Sequence, residues 1–146
     1  MVQQLDHVGI VVRSLDRSCA RYQKVLGLQV DHVEEYGAGL LRIAFLRVNG
    51  GDAGDTTKLE LLEPLRPGSS AWDFLEAHGE GVEHLAFLVD GLDRALDSLA
   101  DRHVPLRDRC SRAGAGGMRI AFLDPMALDG VLAELVSPIA RVGDAQ

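Results

Sequence analysis

Apolar residues recur along the chain in two rhythms, and the change from one to the other marks out its elements. Val8 to Val12 and Leu85 to Val89 are short apolar runs rich in branched residues, the pattern of buried strands at that length. A helical period follows each: Leu15, Cys19, Tyr22 and Leu26 after the first, Leu92, Ala95, Leu96 and Leu99 after the second, three or four apart on one face. Ser14 predicts the N-cap of the first helix and Gly27 its end, while Pro105 bounds the second from beyond. Further strands are predicted over 40–48, 58–62, 118–123 and 131–136. Asn49-Gly50-Gly51-Asp52 predicts a hairpin loop and Asp129-Gly130 a turn, because these residues accept positive φ. Ser69-Ser70 predicts the cap of a short connecting helix through His78, closed by Gly79, with Trp72 and Leu75 turned inward. The polar residues Arg141 to Gln146 predict a frayed end.

The rhythms recur because the sequence repeats. Asp6 to Arg17 reads DHVGIVVRSLDR and Glu83 to Arg94 reads EHLAFLVDGLDR, an offset of 84 − 7 = 77; RIAFL occurs at Arg42 to Leu46 and again, at the same offset, at Arg119 to Leu123. Leu59-Glu60-Leu61 and Ala133-Glu134-Leu135 form a third pair, followed by Pro64 and Pro138. Each half therefore reads as strand, helix, then further strands. The prediction is one α+β domain over 1–146 made of two tandem βαβββ modules, 5–64 and 82–138, with a connector at 65–81 and a flexible tail at 139–146.

Composition narrows the partners. With 146 residues, 47% of them hydrophobic, the chain is long enough to bury one core without disulfide or metal staples. A formal charge of −7 repels nucleic-acid backbones and anionic membrane surfaces. No apolar run approaches the ~20 residues that span a bilayer, and no basic segment with a cleavage site opens the chain. Two cysteines, Cys19 and Cys110, form no CxxC pair, so a reducing cytoplasm is expected. Cys19 reads as helix packing.

The repeat also pairs polar residues. His7 and His84 hold equivalent places on first strands, Glu60 and Glu134 on last strands, each flanked by apolar residues. Taken singly, such a residue is a hydrogen-bonded structural group or lies on the solvent face. Four in matching pairs point to a shared partner, since an unpaired buried charge or imidazole costs several kcal/mol. A divalent ion such as Zn, Co, Mn or Ni satisfies two imidazoles and two carboxylates at once. His32, His78 and His103 have no counterparts of their own kind and are read as surface or loop residues.

DHVGIVV at Asp6 to Val12, LELLEP at Leu59 to Pro64, GEGVEHLAF at Gly79 to Phe87 and GVLAELV at Gly130 to Val136 resemble methylmalonyl-CoA epimerases of the vicinal oxygen chelate superfamily. The resemblance spans nearly the whole chain. It implies paired βαβββ modules forming a cupped mixed sheet around a metal site, with His7, Glu60, His84 and Glu134 at the four ligand positions. It further implies epimerisation by 1,1-proton transfer at a carbon beside a carbonyl, through a metal-stabilised enolate, with Glu134 as one proton-transfer group. That family places a second glutamate on the strand equivalent to Leu40 to Leu46, where LLRIAFL offers Arg42 and Ile43 but no acid. The substrate is therefore expected to be an acyl-CoA or, as in similar natural-product enzymes, a cyclitol ketone of the 2-epi-5-epi-valiolone type. Alternatives within the superfamily are a glyoxalase I-type lyase and a non-catalytic, ligand-binding resistance protein. An extradiol dioxygenase is disfavoured by the second carboxylate, Glu60.

Arg42 and Arg119 are candidate contacts for an anionic substrate group, and Arg107, Arg109 and Arg112 join Arg119 as either a phosphate-binding patch or a solvated face. Gly114 to Gly117 reads as a loop entering a strand, since no helix follows it as a dinucleotide fingerprint requires. A homodimer is expected because small sheets leave edges and an apolar face for a second copy to cover.

Overall fold

The computed structural model describes residues 1–48 and 57–139, so the loop predicted at 49–52 and the end from Arg141 lie outside the described residues. The chain is α+β and divides into two units: Leu5–Leu85, and the residues from Ala86 onward with Met1–Gln4. The first contains most of β1 (Val2–Val11), then α1 (Leu15–Leu26), β2 (Gln29–Tyr36), β3 (Leu41–Arg47), β4 (Lys58–Pro64) and α2 (Ser70–His78), and ends inside β5 (Gly81–Val89). The second continues with α3 (Leu92–Asp101), β6 (Arg112–Ala113), β7 (Met118–Phe122) and β8 (Ala133–Pro138). The βαβββ order thus occurs twice, and the units divide within β5 rather than in the connector.

In the first unit the strands lie in the order β2-β3-β4-β1, antiparallel except for the parallel β1–β4 pair. In the second the order is β5-β8-β7-β6. The strand β2 escapes the apolar pattern because QVDHVEEY lies at a sheet edge and buries little of either face. A two-residue β6 carries too little sequence to read.

Local chemistry sets the helices. Ser14 accepts a hydrogen bond from the Arg17 amide and Gly27, at φ 69°, ends α1. Leu15 packs with Val12, Ala44, Leu46 and Leu61. Leu26, expected on the inner face, is instead 61% exposed, and Ser18 is buried; the core contact of α1 fades before its last turn. All four apolar positions of α3 are buried against Ala121, Leu123, Ala133 and Leu135, each leucine contributing about 1.5–3 kcal/mol. Ser69 caps α2 as expected, but Ala71 joins Leu75 in the interior and Trp72 is half-buried. Asp129 and Gly130 take positive φ at the predicted turn.

The register sorts side chains by face. In the first unit Leu61, Ala44 and Leu46 face α1, so their neighbours Glu60, Leu62 and Ile43 face away from it. In the second unit Ala121 and Leu135 face α3, leaving Glu134, Phe122, Ile120 and Val136 on the other side.

Candidate metal centre

Three of the four repeated polar residues meet in the first unit. Parallel pairing of β1 with β4 sets His7 opposite Lys58 and Gly9 opposite Glu60, and β5 brings in His84. His7, Glu60 and His84 are all buried, with ligand atoms within 4.8 Å of one another. His7 Nε2 lies 2.5 Å from Glu60 Oε2 and 3.2 Å from His84 Nε2, while His84 Nε2 lies 3.7 Å from the same carboxylate oxygen. The two imidazole rings meet edge-on.

Space for His84 comes from Gly9. A Cβ at that position would lie 2.1 Å from His84 Cε1 and within 2.5 Å of both ring nitrogens, so the imidazole occupies the volume of the missing side chain.

Behind each imidazole stands the preceding acid. Asp6 accepts a hydrogen bond from His7 Nδ1 at 2.8 Å, which holds the ring with Nε2 turned toward Glu60. Glu83 Oε1 lies 3.6 Å from His84 Nδ1 and accepts from the Ser70 hydroxyl; its other oxygen is buried with no hydrogen-bond partner among the described residues. The pairs Asp6-His7 and Glu83-His84 occupy corresponding positions of the repeat, so the signal for these supporting acids stood in the sequence beside the histidines.

Burial alone would push the Glu60 carboxyl up, but the charge and hydrogen bonding of the two imidazoles, His7 foremost, hold it down at about 2. Burial likewise opposes ionisation of Asp6, and the His7 hydrogen bond and nearby positive charge, including Lys58, hold it below its ordinary value. A carboxylate and two inward-facing imidazole nitrogens require positive charge at their centre. A proton bridges one pair at a time; a divalent ion accepts all three lone pairs. The donor set fits an ion that takes mixed nitrogen and oxygen ligands.

Glu134 lies in the second unit, buried on β8. Its ladder partner on β7 is Phe122, as that of Glu60 on β3 is Phe45, and both phenylalanines come from the repeated RIAFL. The two carboxylates therefore hold the same structural position in their units.

Arg42 and Arg119 do not face the carboxylates. Arg42 reaches Asp16 at the start of α1 and Glu63, on the helix face of the sheet. Arg119 binds the Ser111 carbonyl and hydroxyl, and that hydroxyl donates to Asp93 at the start of α3. Asp16 and Asp93 are themselves repeat counterparts. The expected substrate contacts are thus replaced by a duplicated brace between sheet and helix. Arg112 pairs with Asp108 and lies over the Phe122 ring, 5.6 Å from its centroid, while Arg107 and Arg109 are exposed. A cavity of about 430 Å³ opens elsewhere, bordered by Val12, Ser18, Arg21, Tyr22 and Glu80, and none of the cluster residues lines it.

Comparison with known proteins identifies the family. Residues 6–122 match the family model of the glyoxalase/bleomycin resistance protein/dioxygenase superfamily. The uncharacterized protein YqjC of Bacillus subtilis is 41% identical over 137 residues, covering 94% of each chain. Mitochondrial methylmalonyl-CoA epimerase of Bos taurus is 32% identical over 136 residues, 90% of this chain and 73% of that one. A solved methylmalonyl-CoA epimerase in complex with methylmalonyl-CoA and NH4+ superposes with a TM-score of 0.87 at 35% identity, covering 96% of this chain and 97% of the other.

Proposed function

Because the chain belongs to the glyoxalase/bleomycin resistance protein/dioxygenase superfamily, as a methylmalonyl-CoA epimerase-like member, we propose that it inverts a carbon alpha to a thioester carbonyl by 1,1-proton transfer. The proposed first shell is His7, Glu60, His84 and Glu134 around one divalent ion, Zn, Co, Mn or Ni. The observation that carries it is the buried convergence of His7, Glu60 and His84 on one point. When bound, the ion supplies Lewis acidity that lowers the cost of enolate charge. Asp6 orients the His7 imidazole through its hydrogen bond to Nδ1. Glu134 removes the α-proton, and Ile120, Phe122 and Val136 beside it keep water from competing for the carbanionic carbon.

The proposed substrate is a 2-alkylmalonyl-CoA, supported by the epimerases among the relatives. A cyclitol ketone is the second reading, favoured by the absence of an acid at Arg42 and Ile43. The protein is further proposed to act as a homodimer in a reducing cytoplasm; exposed Val25 and Leu26 and the two free cysteines support this. No helix of the described residues is long and apolar enough to cross a membrane.

Solvent deuterium exchange tests the function. Metal-reconstituted protein is expected to wash the α-proton from methylmalonyl-CoA and interconvert its isomers. Exchange confined to the cyclitol ketone would transfer the assignment to that substrate, and turnover of a hemithioacetal alone would make the protein a lyase. Sedimentation at micromolar concentration checks the dimer.

A further inference from the structure

Of the four arginines from Arg107 to Arg119, Arg112 is the one that the strand register of the second unit sets on the sheet face of Glu134. Cross-strand partners in antiparallel pairs project to one face. Glu134 pairs with Phe122 and Val136 with Ile120, whose partner on β6 is Arg112. The row Val136–Ile120–Arg112 therefore lies directly beside the row of Glu134 and Phe122. Arg119 pairs with Ala113 and falls on the opposite face, where it forms the brace to Ser111. Arg107 and Arg109 precede the strand and are exposed.

The same place in the first unit is held by an acid. The repeated RIAFL sets Ile43 and Ile120 in equivalent positions, so the row Leu62–Ile43–Glu34 is the counterpart of Val136–Ile120–Arg112. Glu34 reaches its row through a bulge. The register shifts between Val30 and His32, with Asp31 the extra residue, so Val30 packs with the α1 core while His32 and Glu34 lie on the face of Glu60. In the second unit a strand of two residues suffices to set Arg112 on the face of Glu134. Sheet packing shared by the two copies does not account for charges of opposite sign at one position.

The guanidinium is held in a defined place. Its Nη1 donates to Asp108 Oδ2, and the same oxygen accepts from the Phe122 amide at 2.9 Å, which ties the group to the backbone of β7. Its carbon lies 5.6 Å from the centroid of the Phe122 ring. Arg112 thus leans out of its own row toward that of Glu134 and stands over the residue one strand, about 5 Å, from that acid. Gly114 leaves the surface beside it low: a Cβ there would lie 2.4 Å from Ile120 Cγ2. The Arg112 side chain is 48% exposed, and an ion pair as solvated as that with Asp108 contributes little to stability. Five N–H donors in one plane let an arginine keep such a pinning carboxylate and bind a second oxyanion.

We propose that Arg112 is a substrate-recognition residue, binding an oxyanion of the molecule whose α-carbon Glu134 deprotonates. The inference rests on the epimerase reading above and names what that substrate must carry. A 2-alkylmalonyl-CoA has two groups of this chemistry, the carboxylate of its acyl part and the phosphates of its carrier. A neutral cyclitol ketone has neither, so Arg112 selects the acid thioester over it.

The test measures KM and kcat of metal-loaded enzyme on methylmalonyl-CoA and on the N-acetylcysteamine thioester of methylmalonate, which keeps the carboxylate and lacks the phosphates. Arg112→Gln is expected to raise KM for methylmalonyl-CoA by about 10–100-fold, with kcat, metal content and melting temperature largely kept. Arg112→Lys should recover part of the loss. Arg109→Gln, which removes the same charge from an exposed position, should match wild type. A rise with both thioesters identifies the carboxylate as the group bound, and a rise with the CoA thioester alone the phosphates; either upholds the role. An unchanged KM for both in Arg112→Gln, or an equal rise in Arg109→Gln, overturns it and leaves the epimerase reading standing. A lower melting temperature with loss of kcat and metal makes Arg112 structural and also overturns it. If wild-type protein converts neither thioester, the epimerase reading fails and this role falls with it.

Discussion

Gly9 and His84 are interlocked: the imidazole of one lies where the side chain of the other would be, 2.1 Å from the position of an added Cβ. Gly9→Ala is therefore expected to push His84 out of line with Glu60. Overpacking of this kind costs about 1–3 kcal/mol. Metal affinity should fall alongside thermal stability, measured by competition with a chelating dye and by calorimetry.

His84→Ala removes one of the three convergent groups without crowding the others. Protein purified without chelator is expected to carry one divalent ion per chain and the variant to carry none at equal concentration. Equal metal content by elemental analysis would sink the metal assignment.

Asp6 orients His7 and touches neither a proposed substrate nor the ion. Asp6→Ala should weaken metal binding by about 10–100-fold, the usual effect of losing a carboxylate behind a ligating histidine. Nitrogen NMR of metal-free protein gives an independent readout, since the His7 ring should lose its preference for a proton on Nδ1.

Arg42 and Arg119 brace helices, so Arg42→Gln and Arg119→Gln should leave metal affinity and the KM for substrate unchanged. The Asp16 partner of Arg42 is largely exposed and such pairs contribute about 0–1 kcal/mol, so the stability change should be small for Arg42. A large rise in KM with intact metal binding would return these residues to the substrate site.

How much of this was legible depended on whether a residue's neighbours in sequence are also its neighbours in space. His7 and His84 stood out because the duplication marks them twice, and α1 and α3 because amphipathic spacing and the Ser14 cap are local properties. The direction of Arg42 was not legible. A guanidinium in LLRIAFL faces either side of the sheet, and the pairing of Phe45 with Glu60 decides which. Gly9 gave no local sign of the ring that fills its place, since His84 is 75 residues away (84 − 9 = 75) and meets it only through sheet assembly. The edge strand β2 was missed because its polar positions resemble a loop until β3 pairs with it.

The extra residue at Asp31 separates two demands that one strand would otherwise have to meet together. Before it Val30 packs with the α1 core, and after it His32 and Glu34 share the sheet face of Glu60. Lengthening or shortening an edge strand by one position exchanges the side chains on its two faces. Removal of the Asp31 codon is accordingly expected to turn His32 and Glu34 over to the α1 side of the sheet.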